Sequence, residues 1–322
     1  MIKFITLAVK TQLNVHDLNN EAVAGNVTDI RIMEFLNENG DKQEAPAVSG
    51  RMLKHWHYEI MRKLGIEQNL SFCDSCKIGE PVRPATFTID NVLSHQEAID
   101  KGAEEVVRNC IICDVHGFLS AIGTTSERRS SRVMFSWLMP VITSNSKQVI
   151  HSRVKSGMGF KDKEKELSMG FKDKEKELIS QRPFSKSYVS GIYAFVSALD
   201  VERIGLLETK LVNTNPYVVN DNDRKKRIKV AIDAYRYLIS GQLGASLSHA
   251  LPHGNPLEIL AIYSEQGPLP FPISPMYSDY VPKTVGLMPQ NAILLYWGEG
   301  TYESITKKES INQIFTELLN KV

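Results

Sequence analysis

The chain has 322 residues, 42% hydrophobic and 23% charged, with a formal net charge of +1 at pH 7. This composition is typical of a folded globular protein and excludes an intrinsically disordered chain. The longest apolar runs, such as VMFSWLMPVI, are too short to span a bilayer. The N-terminus carries an apolar stretch without a signal-peptide cleavage pattern, so we expect a cytoplasmic protein with no membrane partner.

The first part of the chain is predicted to hold a strand, a loop and a helix. Residues 2–13 alternate well enough for a half-buried strand, and residues 14–32 are rich in Asn, Gly and Asp, which is typical of a long loop. Ser49 precedes a helical pattern that Gly65 ends. Its apolar stripe, at helical spacing, consists of Met52, Trp56, Ile60 and Leu64.

The rest of the chain alternates between strand and helix patterns. Helices are predicted at 94–108, where Ser94 and Glu97 have capping-box spacing, at 223–244 and at 309–319. Strands are predicted at 110–123, 131–143, 147–155, 183–205 and 256–265. Strand–helix–strand–strand–helix–strand is the resulting order. It predicts an α+β fold, a mostly antiparallel sheet with helices on one face and the other face free.

All four cysteines fall into two C-x₂-C pairs, Cys73 with Cys76 and Cys110 with Cys113. Two such pairs supply four thiolates to one tetrahedral zinc ion, and four thiolates leave no open position, so the zinc would be structural. The 33 intervening residues must then fold as a small module. Two disulfides or four unliganded thiols are the alternatives, and the pattern leaves them open.

Positive charge is concentrated in one segment of a nearly neutral chain. Residues 1–120 hold 12 Lys/Arg against 17 Asp/Glu, whereas residues 121–157 hold six Lys/Arg against one Glu. A second basic stretch, DRKKRIK, covers residues 223–229. This pattern favours a polyanion held in one groove, although a solvated basic loop would have the same charge.

A tandem duplication lies near the middle of the chain. The ten residues MGFKDKEKEL at 158–167 recur unchanged at 169–178. The unit has no apolar stripe that could pack on a core, so we interpret it as the tip of a solvent-exposed loop. Loop tips tolerate insertions because little of their backbone is buried.

Three segments, LNNEAVAGNVTDIRI, PAVSGRMLKHWH and TTSERRSSRVMFSWLMPV, occur in the order seen in a known family. With CDVHGFL, SYVSGIYAFV and ISGQLGASLSHALPHG, they make most of the chain resemble the repeated RNA-binding backbone subunit of type I CRISPR Cascade complexes, the DevR-like family. The chain most resembles the archaeal type I-A and related branches of this family.

The resemblance implies a CRISPR antiviral function and a modified RNA-recognition-motif, or ferredoxin-like, palm that spans residues 1–322. An inserted module at 66–113 would carry the zinc, and a thumb-like hairpin at 152–182 would hold the duplication. The implied partners are CRISPR RNA, further copies of the chain in a helical filament, target DNA and other Cascade subunits. The implied role is not catalytic.

Guide-binding residues follow from the positions that match the family's segments. Phosphates would be contacted by three regions: the loop at 14–32, the N-terminus of the helix after Ser49 and the basic segment 121–157. The predicted residues are Gly25, Asn26, Arg31, Ser49, Gly50, Arg51, Lys54, His55, Arg128, Arg129, Arg132, Arg153 and His249. The aromatic residues of GIYAFV, Tyr193 and Phe195, are instead predicted to lie in the core.

Two other classes of function remain as alternatives. The backbone subunits of related type III complexes cleave target RNA with a loop aspartate, and Asp17 or Asp29 lies in a comparable loop. A loop aspartate is more often a turn former. A zinc-bearing structural protein that binds no RNA is the third class, and the basic segment argues against it.

Overall fold

The computed structural model describes residues 1–18, 20–24, 27–79, 102–122, 125–143, 147–153, 182–212, 215–241 and 252–322. The strands in these ranges are β1 Phe4–His16, β2 Asn20–Ala24, β3 Val27–Ile30, β4 Ile32–Leu36, β5 Lys42–Pro46, β6 Phe118–Ile122, β7 Thr125–Arg129, β8 Val133–Phe135, β9 Met139–Thr143, β10 Lys147–Arg153, β11 Arg182–Asp200, β12 His253–Ser264, β13 Ile293–Trp297 and β14 Thr306–Lys307. The α-helices are α1 Gly50–Glu67, α2 Asp74–Ile78, α3 Ala103–Asn109, α4 Ile111–His116, α5 Asp221–Ile239, α6 Tyr280–Leu287 and α7 Ile311–Asn320, and a 3₁₀ turn covers Glu208–Lys210.

The main sheet is built around β1 and β11. β1 lies between β11 and β12 and is antiparallel to both. β10, β9 and β8 pair with successive parts of β11, also antiparallel. The central spatial order is therefore β12–β1–β11–β9, with α1 following β1 and α5 following β11 in the chain. This arrangement confirms the predicted α+β fold with a mostly antiparallel sheet.

The larger core lies between one face of this sheet and helices α1, α5 and α7. Alternate residues of β1, such as Leu7 and Val9, belong to it together with Leu53 of α1 and Leu238 of α5. Tyr193 and Phe195 are 0% and 2% exposed. Their prediction as core residues is confirmed, which removes them from the candidates for stacking on bases.

The opposite face of the sheet is also covered, so the expectation of a free face is wrong. Phe4, Ala8 and Leu260 belong to a second core, which they form with Tyr280 and Val281 of α6. The covering segment follows β12 and includes the irregular stretch GPLPFPISP. Its proline-rich sequence has no periodicity, and so gives no sign that it folds back over the sheet.

Helix α1 starts as predicted and ends two residues later. The side chain of Ser49 accepts a hydrogen bond from the Met52 amide, which is the usual N-cap contact. The buried face is centred on Leu53 and Met61, whereas Met52, Trp56 and Leu64 of the predicted stripe are only partly buried. The predicted stripe is therefore displaced by one residue around the helix.

The sequence patterns assign two segments to the wrong structure. Residues 14–32 are predicted as a loop but contain the end of β1 and the antiparallel strands β2 and β3. Gly and Asn are favoured in hairpin connections as well as in loops, so composition cannot separate the two. Residues 111–116 are predicted as a strand but form helix α4, because a short apolar run fits either structure.

Other expectations lie outside the described residues. They are the start of the helix at residue 94, most of the segment between the cysteine pairs and the duplication itself. Among the described helices, none has both the length and the apolarity required to cross a membrane.

Candidate functional site

The four cysteines, separated by up to 40 residues in sequence, meet in one cluster. Their Sγ atoms all lie within 4.8 Å of one another, with Cys76 and Cys113 at 3.7 Å and Cys73 and Cys113 at 4.0 Å. Three are buried, and Cys73 is half-buried. The sequence therefore predicts the membership of this cluster correctly.

Local structure in both C-x₂-C pairs directs the thiols inward. Cys73 precedes α2, and Gly79, the residue after α2, has a positive φ of 91° that favours glycine. Cys110 precedes α4, and its Sγ accepts a hydrogen bond from the Cys113 amide at 3.4 Å. The Tyr58 hydroxyl donates to the Cys76 carbonyl at 3.4 Å, which ties the first pair to α1.

The geometry of the cysteine cluster fits one tetrahedral metal ion. A Zn–S bond of about 2.3 Å gives Sγ–Sγ edges of about 3.8 Å in a tetrahedron, close to the two distances above. A disulfide requires about 2.05 Å, so none of the four thiols is oxidised to a disulfide in this structure. Burial raises the pKa of the Cys113 thiol. A bound dication would offset this cost by stabilising the thiolates.

Asp114, directly after Cys113, is fully buried at the centre of a charged network. Its carboxylate accepts hydrogen bonds from Arg129, from Arg227 at 2.9 Å and from the Gly205 amide at 3.0 Å. Arg227 also donates to the Val107 carbonyl at 2.7 Å. Three parts of the chain far apart in sequence therefore converge on one carboxylate. We call Asp114, Arg129, Gly205 and Arg227 the Asp114 network.

Two of the predicted RNA-binding arginines lie in the interior, which corrects their assignment. Arg129 is 5% exposed and pairs with Asp114 and Glu208, and Arg132 is 0% exposed and also pairs with Glu208. Burial lowers the pKa of the Arg132 guanidinium. Both cations hold the protein interior together in this structure, so neither is placed to contact a phosphate. A count of charges along the sequence cannot distinguish a buried arginine from an exposed one.

Four of the other basic candidates lie at or near the surface. Arg51 is exposed on α1, Lys54 and His55 are half-buried on the same helix, and Arg128 is exposed on the β6–β7 hairpin. Arg153 is the last residue of β10. The candidates Gly25, Asn26 and His249 lie outside the described residues.

Two candidates, Arg31 and Gly50, meet near the N-terminus of α1. A Cβ on Gly50 would lie 2.6 Å from the Phe135 carbonyl oxygen and 2.7 Å from that of Ser136, so a glycine is required for this close approach. The guanidinium of Arg31 lies over the ring of Trp137, 5.5 Å from its centroid. The structure thus brings Arg31 and Gly50 to the same β8–β9 connection. Sequence reasoning does not identify Trp137, which lies inside a predicted strand.

The two aspartates of the RNA-cleaving alternative occupy different positions. Asp17 is 2% exposed, just after β1, and Asp29 lies on β3. Neither lies in the long loop that the sequence predicts there, because that region forms strands. Burial of Asp17 makes it a poor candidate for contact with a substrate in this structure.

Two buried histidines are held in the neutral form. Because a carbonyl can only accept, His57 Nε2 donates to the Ala231 oxygen at 2.9 Å, and His57 Nδ1 therefore accepts from His116 Nε2 at 3.1 Å. Burial lowers the pKa of His57 to about 3. Burial likewise lowers the pKa of His16, whose Nε2 contacts the Tyr193 hydroxyl at 2.9 Å, to about 4.

We expect these histidines to make the protein sensitive to acid. An unfolded histidine binds a proton near pH 6.5, so between about pH 6.5 and 4 the unfolded state binds more protons than the folded state. The contribution of these histidines to the free energy of unfolding is complete above that range. As pH falls through the range, the free energy of unfolding decreases by about 1.4 kcal/mol per pH unit for each histidine. Urea unfolding at pH 7 and pH 5 measures the difference.

A matched pair of variants isolates this effect. His57→Gln should lower stability at pH 7 and weaken its pH dependence, whereas His253→Gln, at an exposed position, should change neither. A pH dependence that is identical in the two variants would contradict the assignment to His57.

Comparison with known proteins identifies the family. The family model described as "CRISPR-associated negative auto-regulator DevR/Csa2" matches residues 7–285. The "CRISPR-associated protein Cas7/Cst2/DevR" of Methanocaldococcus jannaschii is 28% identical over 99% of this chain and 98% of its own length. The "CRISPR-associated aCascade subunit Cas7/Csa2 2" of Saccharolobus solfataricus is 22% identical, over 87% of this chain and 85% of its own.

The fold has a counterpart among solved structures. A chain of a "CRISPR RNA-guided surveillance complex, pre-nicking" aligns over 99% of both chains with a TM-score of 0.57 and 10% identity. At this identity the likeness concerns the fold alone. The family model, in contrast, extends over most of the sequence, including α1, the cysteine cluster and the Asp114 network. The chain therefore belongs to the CRISPR-associated DevR/Csa2 family.

Proposed function

We propose that this protein is the repeated RNA-binding subunit of a type I CRISPR interference complex and acts in antiviral defence. The match of the DevR/Csa2 model to residues 7–285 is the observation that carries the proposal. Support comes from a relative named as an aCascade subunit and from the shared fold of a chain in an RNA-guided surveillance complex. The partners would be CRISPR RNA, other subunits of the complex and target DNA.

The proposed core is a modified RNA-recognition motif, also called a ferredoxin-like fold. The order β12–β1–β11–β9, with α1 and α5 on one face, supports this assignment because it follows from a strand–helix–strand–strand–helix–strand chain. The second face is covered by α6 and its neighbours, so RNA would bind at the edge and the helix ends and not across the open sheet.

The proposed contacts are to phosphates, without chemistry on the RNA. Arg51, Lys54 and Arg128 offer cations of the kind that bind phosphates. The buried position of Asp17 supports a role without catalysis over RNA cleavage by a loop aspartate.

We propose that the cysteine cluster binds one structural zinc ion. The four thiols and their separations of 3.7 and 4.0 Å support a single tetrahedral ion, and four thiolates would leave no position for a substrate. The ion would hold the two ends of the 66–113 module together.

RNA binding should weaken steeply as salt rises, because phosphate contacts release counterions. Replacing Lys54 or Arg128 by Gln should lower affinity for every sequence alike and reduce the slope of log K against log salt by about 0.7 each. Fluorescence anisotropy with single-stranded RNA at several salt concentrations measures both quantities.

Lys283→Gln is the matched control. Lys283 is exposed in α6, on the side of the sheet opposite α1, and its variant should bind as the wild type does. Affinity that does not change between low and moderate salt would rule out a groove that holds the RNA backbone.

The segment 152–182 is proposed as the thumb that reaches a neighbouring copy on the RNA. Deleting residues 169–179 removes one repeat, and the free energy of unfolding should change by less than about 0.5 kcal/mol, because the repeat has no apolar stripe to pack. Deleting residues 156–179 should impair ordered filaments in electron micrographs while single-site RNA binding survives. A large loss of stability on removing one repeat would show that it packs on the core.

A further inference from the structure

We propose that Asp114 is a positioning residue that couples the metal state of the cysteine cluster to RNA binding through the β6–β7 hairpin. The inference rests on the proposed zinc site and RNA contact, and it adds a thermodynamic link between them. The β6–β7 hairpin carries Arg128. Asp114 holds the end of this hairpin, and it directly follows Cys113 in the chain.

The link begins in helix α4. Cys113 and Asp114 are adjacent in this six-residue helix, which is buried throughout. The Asp114 amide donates to the Cys110 carbonyl at 3.0 Å, so the backbone that places the two thiols also places the carboxylate. A displacement of α4 would therefore move the thiols and Asp114 together.

The hairpin is attached to α4 at both of its ends. At its start, Gly117 has a φ of 76°, and a Cβ there would clash with the Arg129 carbonyl oxygen, so the two ends approach closely. At its end, Arg129 donates from Nε to the Asp114 carbonyl at 3.0 Å and from Nη2 to the Asp114 carboxylate. Both strand ends are therefore fixed relative to the cysteine cluster.

Arg128 is the exposed neighbour of this buried anchor. It pairs across the hairpin with Leu119, and both side chains are exposed, while Phe118 and Arg129 of the adjacent pair are buried. The alternation of a strand thus places Arg128 outward because Arg129 points inward. If Arg129 loses the Asp114 carboxylate, one of its two acidic partners, the interior holds the direction of Arg128 less firmly.

Linkage then requires a reciprocal effect. If zinc holds α4 in place and α4 holds Arg128, zinc should strengthen RNA binding, and RNA should strengthen zinc binding by the same factor. Couplings of this kind are typically about fivefold or more. A metal ion that served only to fold a distant module would leave RNA affinity unchanged, which is a coupling factor of one in both directions.

The test compares zinc-loaded protein with protein after chelation. RNA affinity is measured for both at several salt concentrations, and zinc affinity is measured by competition with a chelator, with and without RNA. We expect zinc removal to weaken RNA binding about fivefold and to reduce the salt slope by about 0.7, the change expected from Arg128→Gln. In Arg128→Gln, zinc removal should have no further effect.

Asp114→Asn, loaded with zinc, tests the residue itself. Asp114→Asn should retain one zinc per chain. Its RNA affinity and the slope of log K against log salt should decrease as much as they do in Arg128→Gln. A double variant that combines the two changes should show no added loss. Equal RNA affinity in Asp114→Asn and wild type, or losses that add fully in the double variant, would overturn the inference. Absence of zinc or of RNA binding in the wild type would instead overturn the proposed function, and this inference with it.

Hydrogen exchange provides a second measurement that does not depend on the Asp114→Asn variant folding. Removing zinc from the wild type should increase exchange at the amides of residues 118–129 more than at those of β1. Unchanged exchange of the hairpin would contradict the coupling even if RNA affinity fell.

Discussion

Asp114→Ala is expected to lower the free energy of unfolding by about 3–5 kcal/mol, since it removes the buried carboxylate with which two buried arginines pair. Arg129 and Arg227 are 5% and 2% exposed, and each donates to the Asp114 carboxylate. The Gly205 amide would lose its acceptor as well. Because domains are stable by only about 5–15 kcal/mol, this single change would remove a large share of the total. Denaturant titration monitored by circular dichroism measures the loss.

Asp279→Ala provides the control for removal of a carboxylate as such. Asp279 forms an exposed i,i+4 ion pair with Lys283, and such pairs contribute little, so the change should stay below about 1 kcal/mol. Similar losses in both variants would show that the buried position of Asp114 does not set its contribution.

Loss of the metal is the second change with a large expected effect. Structural zinc sites fold together with their metal, so a chelator should lower the denaturation midpoint of protein purified with zinc. Cys110→Ser should have the same effect, with zinc content falling from one per chain to near zero.

The cysteine variants also supply their own control. A chelator should not destabilise Cys110→Ser further, and Cys73→Ser with Cys110→Ser should cost little more than either alone, because one missing ligand already releases the ion. Protein that contains no zinc when purified without chelators, or that contains two intact disulfides by mass spectrometry, would contradict the metal site.

The main elements of the fold can be predicted because their patterns are long. β11 extends over 19 residues rich in β-branched and aromatic side chains, and α5 extends over 19 residues with a helical stripe. Over such lengths the two-residue repeat of a strand and the 3.6-residue repeat of a helix are easily distinguished. The six-residue helix α4 is too short for that distinction, and the segment that covers the second sheet face has no period at all.

The candidate site can be predicted only unevenly, for a related reason. Spacing alone identifies the cysteine cluster, because two short spacers already bring each pair of thiols together. Charge alone cannot separate exposed Arg128 from buried Arg129, since their difference arises from a carboxylate 15 residues away in sequence. Asp114 itself is visible as one acidic residue inside the apolar run CIICDVH, a pattern that is typical of a buried charge with a partner.

The proposed function requires that many copies of this chain assemble along one guide RNA. Native mass spectrometry of the purified protein with single-stranded RNAs of increasing length measures how many copies bind. We expect complexes in which the number of protein copies rises stepwise with RNA length, at a constant number of nucleotides per copy. A single copy bound at every length, or no RNA-bound species at low salt, would contradict it.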